Sequence, residues 1–277
     1  MRLGAPLHVD DQDPQRWVLA VKEKGYRAAY CPVQADAGSD VIRAYAQAAQ
    51  GADLIIAEVG AWVNTLDSDE TKRKQAEAYC QQQLGLAEEI GAVCCVNIAG
   101  SRGVKWDGPD ERDLTPVTFE MIVAMVRRII DAVQPRRAFY TLEPMPWMYP
   151  DSPDSYLELV AAIDRPQFAV HFDPVNWICS PQRYFNNGRF IEECVNKLGP
   201  MIKSVHAKDS LLGNALTTHL DEVRPGLGKL DYRTLLRALD RLPADTPLML
   251  EHLPKAEEYD LAAAYVREVA GEVGVRL

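Results

Sequence analysis

The chain has 277 residues and a mass of 30.9 kDa, enough for one or two domains or for one α/β barrel of about 250 residues. Apolar residues make up 47% and charged residues 25%, the balance of a chain that buries a core, which excludes wholesale disorder. Lys and Arg number 30 against 40 Asp and Glu, a formal net charge of −10, so no surplus of positive charge is present to displace counterions, and nucleic acid is not an expected partner.

Short apolar strands alternate with amphipathic helices along the whole chain. A strand over 3–9 leads to a helix over 14–24 closed by Gly25, and a strand over 26–30 to a helix over 39–50 closed by Gly51. The third pair is 53–59 and 68–90, with Ser68 as N-cap and Gly91 past the end. The fourth is 93–98 and 115–133, stopped by Pro135, and the fifth is 138–143 and 152–163. The sixth is 168–173 and 188–198, the seventh 202–208 and 232–242, the eighth 248–251 and 257–273. Strands separated by helices pair in parallel. Eight such units predict an α/β fold, a single (β/α)8 TIM barrel over 1–277, with chemistry at the C-terminal ends of its strands. An open doubly wound sheet would ordinarily carry a Gly-rich phosphate turn after its first strand; here that turn is Val9-Asp10-Asp11-Gln12-Asp13. The longest stretch without periodicity, 211–228, follows the seventh strand, and long loops in compact domains tend to be functional.

The first residues, Met1-Arg2-Leu3-Gly4-Ala5-Pro6, have no apolar h-region behind them, and no apolar run reaches the ~18–20 residues of a membrane helix. The six cysteines form no C-x-x-C pair and read as reduced thiols in a cytoplasmic protein that does not engage a membrane.

Four residues stand out by position. Glu143 ends the fifth strand, Asp173 the sixth, His206 the seventh and Glu251 the eighth. A charge at the end of an apolar strand is costly to bury without a partner. Consecutive barrel strands aim such groups at one point, where three carboxylates repel. A divalent cation resolves the repulsion, with the imidazole as fourth ligand, and an O₃N set suits Mn²⁺ first, then Mg²⁺ or Co²⁺.

The fragments Leu142-Glu143-Pro144, His171-Phe172-Asp173, His206-Ala207-Lys208-Asp209, Arg224-Pro225-Gly226-Leu227-Gly228 and Leu250-Glu251-His252 occur in this order. With them the chain resembles the xylose isomerase-like TIM-barrel family of sugar isomerases and epimerases, which includes tagatose 3-epimerase-type enzymes and inosose dehydratase. The resemblance implies one divalent metal on Glu143, Asp173, His206 and Glu251, with Glu143 and Glu251 also as an acid/base pair. It implies a small-molecule sugar partner and relatives that assemble as homo-oligomers. The expected activity is a sugar isomerase or epimerase acting on a ketose or related polyol ketone through a cis-enediolate. A lyase on the same scaffold, dehydrating a keto-inositol or eliminating from a 3-keto-sugar or its glycoside, remains the alternative. One departure bears on this choice. Tagatose 3-epimerase-type enzymes tend to carry a histidine three residues after the strand-six aspartate, where this chain has Asn176. An amide hydrogen-bonds a hydroxyl but exchanges no proton near neutral pH.

Further candidates for substrate binding are His8, Glu58 and Asn97 at the ends of the first, third and fourth strands, Asn176, Lys208 two residues past His206, and Arg224. His171 shares a face with Asp173 one layer deeper, which suits a supporting role. His252 alternates away from Glu251 and is expected to be structural.

Overall fold

A computed structural model describes residues 1–7 and 13–277; His8 lies outside the described residues. The chain runs β1 (Arg2–Ala5), α1 (Pro14–Glu23), β2 (Ala28–Tyr30), α2 (Ser39–Gly51), β3 (Ile55–Gly60), α3 (Glu70–Ile90), β4 (Cys94–Asn97), α4 (Pro116–Val133), β5 (Phe139–Leu142) and α5 (Pro153–Ile163). It continues with β6 (Phe168–Phe172), α6 (Pro174–Trp177), α7 (Pro181–Phe185), α8 (Asn187–Leu198), β7 (Ile202–Ala207), β8 (Asp209–Leu212), β9 (Leu220–Val223), α9 (Tyr232–Leu239), β10 (Pro247–Leu250) and α10 (Ala256–Val273). Among the described residues, eight parallel strands close in the order β1-β10-β7-β6-β5-β4-β3-β2. This is the (β/α)8 TIM barrel that the alternation predicts.

The strands read as apolar runs because helices cover the outside and side chains fill the inside, so both faces are buried. Met249 packs with Ala28 and Ala57 in a small cluster of its own. Gly4 leaves it room: a Cβ there would lie 2.7 Å from the Met249 sulfur. Helix starts follow cap chemistry. Asp69, Thr115 and Ser152 each accept hydrogen bonds from the first turns of α3, α4 and α5, satisfying amides that have no partner within the helix. The cap of α3 is therefore Asp69, not Ser68. Among the described residues, no helix is long and apolar enough to cross a membrane.

A tyrosine ties two site-bearing strands together. The Tyr156 hydroxyl, on α5, is 2.8 Å from the Leu142 carbonyl and 3.0 Å from the Ala169 carbonyl. The amides of Leu142 and His171 donate to it at 3.2 and 3.1 Å. It thus stands between β5 and β6 just below Glu143 and Asp173. Burial pushes its pKa up, so it remains a neutral hydroxyl.

Beyond the cap of α3, the elements depart from the sequence expectation in three further places. The first strand ends at Ala5, four residues before the apolar pattern does. Two short helices, α6 and α7, follow β6 at Pro174 and Pro181, where proline occupies the first helical position. The aperiodic 211–228 stretch contributes to an antiparallel hairpin, β8 with β9, followed by a turn built on Asp209. The Asp209 carboxylate accepts from the amides of Gly226, Gly228 and Leu230 at 3.0, 3.1 and 2.8 Å. A Cβ on Gly228 would come within 2.3 Å of Asp209 Oδ1. The His206–Asp209 and Arg224–Gly228 fragments of the sequence are thus one structural unit: the aspartate after Lys208 anchors the later turn.

Candidate active site

Glu143, Asp173, His206 and Glu251 meet at the C-terminal mouth of the barrel. One donor atom from each lies within 4.8 Å of all the others, and all four side chains are buried. Each arrives by the same route, at or just past the end of β5, β6, β7 and β10. His206 Nδ1 lies 2.8 Å from Glu251 Oε1, 3.4 Å from Glu143 Oε1 and 3.8 Å from Asp173 Oδ2.

The inward face of β7 carries Ser204, His206 and, just past its end, Lys208, rising from the interior toward the mouth. Lys208 is nearly fully buried. Its ammonium is 2.5 Å from Glu251 Oε1, 2.7 Å from Asp173 Oδ2 and 3.2 Å from Glu143 Oε1. Asn176 Nδ2 also donates to Glu143 Oε1, at 3.0 Å, and to the Pro144 carbonyl at 2.9 Å. The sequence placement of Asn176 and Lys208 beside the four-residue cluster therefore agrees with the geometry.

Below the cluster lies a fourth carboxylate. Glu58 Oε2 is 3.2 Å from His206 Nε2, and Glu58 Oε1 is 3.0 Å from His171 Nε2. The Ser204 hydroxyl donates to the same Oε1. The His171 and His206 rings meet edge to face, centroids 4.1 Å apart. His171 thus takes the supporting position read from the sequence. Glu58 differs from expectation: it lies beneath the cluster, with both oxygens engaged, and not on the pocket wall.

Charge explains the pKa pattern. With every carboxylate ionised, Glu58, Glu143, Asp173 and Glu251 face the Lys208 ammonium and the rings of His206 and His171. Burial disfavours the charged form of Glu143, but Lys208 and His206 outweigh it and hold that carboxyl well below the usual range. Burial likewise opposes the charge on His206, yet Glu251, Glu58 and Glu143 hold its pKa well above the ordinary value. Asp173 bears the surplus. Burial, with repulsion from Glu143 and Glu251, pushes it up to about 6 against the pull of Lys208.

The donor set fits a divalent cation. Asp173 Oδ2, His206 Nδ1 and Glu251 Oε1 are buried without a directed hydrogen bond, although ionic neighbours stand close. Three carboxylates and one imidazole nitrogen are the ligands that Mn²⁺ or Mg²⁺ accepts. A dication also offsets the negative surplus. With Nε2 facing Glu58, Nδ1 is the ring nitrogen that points to the cluster.

Above the cluster opens a cavity of about 720 Å³, bordered by Glu143, Asn176, Lys208, Glu222 and His252 on one side and by three tryptophans on the other. Glu222 and His252 were not expected there. His252 Nδ1 is 3.1 Å from Glu222 Oε1. Strand alternation stops at Leu250, and His252 adopts φ 56°, a left-handed turn that returns its side chain to the mouth. Glu222 rides on β9; Gly213-Asn214 in the intervening loop was its one turn signal.

Two other sequence candidates have structural partners instead. Asn97 is fully buried, and its amide pairs with both backbone groups of Val63 at 3.1 Å, holding the loop after β3. Arg224 Nε donates to Glu258 Oε2 at 2.8 Å, which ties the Asp209-anchored turn to α10. Neither borders the cavity.

Solved structures of the same shape cover nearly the full chain. A D-psicose 3-epimerase with D-tagatose, from Clostridium cellulolyticum H10, is 13% identical with TM-score 0.70, covering 100% of each chain. The probable 3-DHS dehydratase AsbF from Bacillus anthracis is 16% identical with TM-score 0.72, covering 98% of this chain and 99% of its own. A xylose isomerase-like TIM barrel protein from Mycobacterium smegmatis, in complex with magnesium, is 15% identical with TM-score 0.66, covering 94% of this chain and 87% of its own. By sequence, no curated protein matches this chain. The family model for the xylose isomerase-like TIM barrel matches residues 18–269; the chain belongs to that family.

Proposed function

We propose that this protein is a divalent-metal-dependent sugar isomerase or epimerase, acting in the cytoplasm on a ketose or related polyol ketone through a cis-enediolate. The observation that carries this reading is the convergence of Glu143, Asp173, His206 and Glu251 within 4.8 Å at the barrel mouth. Those four residues would hold the ion, Mn²⁺ by preference and Mg²⁺ or Co²⁺ as alternatives. Its contribution when bound is positive charge that stabilises oxyanion character as a carbon acid ionises.

The side chains do the rest. Glu143, kept ionised by Lys208, removes the proton beside the carbonyl. Glu251, charged with a proton from solvent, delivers it from the other face, which inverts the centre, and the proton held by Glu143 returns to solvent. Return by one carboxylate to the neighbouring carbon isomerises instead. Asn176 aims Glu143 through its 3.0 Å hydrogen bond, and Lys208 offers its ammonium to a substrate oxygen. Glu58 fixes the His206 ring from below.

A second reading is a metal-dependent lyase on the same scaffold. Asn176 leaves room for it, because an amide stands where tagatose 3-epimerase-type enzymes tend to carry a histidine, and a dehydratase shares the barrel. One experiment tests both. Manganese-loaded protein is incubated in D₂O with a panel of ketoses and 3-keto-sugars. Deuterium at the carbon beside the carbonyl, in a product of otherwise unchanged mass, is expected. Loss of water or of an aglycone selects the lyase; neither exchange nor elimination with any compound overturns both readings.

A further inference from the structure

The cavity above the cluster has two unlike halves. Its charged side rises from β5 to β10 and holds Glu143, Asn176, Lys208, Glu222 and His252, with Val175, Ile178 and Leu220 between them. Its other half is built from the segments after β3, β4 and β5. Three of the chain's five tryptophans, Trp62, Trp106 and Trp147, border it there with Ile98 and Met145. Trp147 is fixed by its indole N–H, which donates to the Asp107 carbonyl at 3.1 Å. Trp106 and Trp147 are half-buried, and Trp62 is 44% exposed, unusually open for so large an apolar ring. Asp107 is the one carboxylate on this side, and Lys105 pairs with it at 3.2 Å.

A bare ketose carries hydroxyls at both ends. One such sugar ring satisfies the charged side or lays a C–H face on one indole, and leaves the rest of a wall of three tryptophans, Ile98 and Met145 uncovered. The volume of about 720 Å³ is also in the range of drug-sized ligands, well above what one sugar ring fills. We propose that the substrate is a glycoside-type keto-sugar with a flat aromatic aglycone, the sugar over the carboxylate cluster and the aglycone against Trp62, Trp106 and Trp147. Aromatic rings meet such a wall by edge or offset stacking, an attraction beyond simple burial. This rests on the reading of the cluster as a keto-sugar centre.

Binding is the test, with probes that lack a ketone and so do not turn over. Phenyl β-D-glucopyranoside and methyl β-D-glucopyranoside are titrated calorimetrically into the manganese-loaded protein. The phenyl glycoside is expected to bind about tenfold more tightly. In Trp62→Ala and Trp106→Ala the two glycosides should come within about twofold of each other, and Trp62→Phe should restore the preference. Equal affinities in the wild-type protein, a preference that survives both alanine variants, or no heat from either glycoside would overturn the proposal. The panel of ketoses and 3-keto-sugars, incubated in D₂O, separates the two readings. Exchange without aryl preference removes only the aglycone site. Aryl preference with no exchange from any keto-sugar removes the isomerase reading.

Discussion

His206 faces Glu58 across 3.2 Å through Nε2, while its Nδ1 lies 2.8 Å from Glu251. The buried carboxylate below thereby decides which ring nitrogen serves the cluster above. Glu58→Gln should weaken manganese binding about tenfold to a hundredfold, as losses of such supporting carboxylates do, with the barrel intact. Metal content after dialysis against graded chelator, alongside circular dichroism, reads both. Unchanged affinity would mean that the ring needs no support from β3.

Glu143 and Glu251 are assigned proton transfer as well as metal binding. Glu143→Gln and Glu251→Gln should each lower solvent-deuterium exchange by at least about a hundredfold, with substrate-independent folding retained. A variant with near-wild-type exchange after full metal loading would rule out the two-base mechanism.

Metal binding should depend on pH in a particular sense. His206 is held protonated in the metal-free cluster, and Asp173 is pushed up to about 6. A bound cation must displace the Nδ1 proton at every pH in the working range, and below pH 6 the Asp173 proton as well. The slope of log affinity against pH should therefore steepen from about one to about two as pH falls through the Asp173 value. The sign for stability is the reverse in metal-free protein. A carboxyl whose folded pKa is raised binds its proton more tightly when folded. Its contribution to stability thus grows as pH falls through 6 toward the unfolded value. Thermal unfolding of loaded and stripped protein at about pH 5.5 and 7.5 measures both effects. A stabilisation by manganese that is equal at the two values would contradict the charge pattern.

Tyr156→Phe removes a hydroxyl that four backbone groups of β5 and β6 surround. Buried backbone groups then lose a partner, at a cost of about 1–3 kcal/mol. Urea unfolding should show that loss with an unchanged slope. Because the site strands are loosened, kcat should fall more than KM rises. A stability change within error would mean that the two strands close the gap themselves.

The sequence by itself determined the barrel. Strand runs such as Val205-His206 and Leu250-Glu251, each between helical periods, left parallel pairing as the economical solution, and eight repeats left a closed barrel. It also determined the cluster of Glu143, Asp173, His206 and Glu251, because each sits at a strand's C-terminal end and the barrel brings those ends together. Lys208 and Asn176 were legible for the same reason: their offsets from His206 and Asp173 fix their faces. Position at a strand end was not enough for Glu58 and Asn97. Depth along the barrel axis separates a wall residue from one below it, and one-dimensional spacing carries no depth. Arg224 and Asp209 needed the third dimension because their partners, Glu258 and the amides of residues 226–230, are set by how the turn packs. His252 and Glu222 reached the mouth through a left-handed residue and a hairpin, local backbone choices that periodicity does not encode. Tertiary structure alone decided the division of the cavity into a charged and an indole side, since Trp62, Trp106 and Trp147 are scattered over 86 positions of sequence and become neighbours only when three successive strands lie side by side.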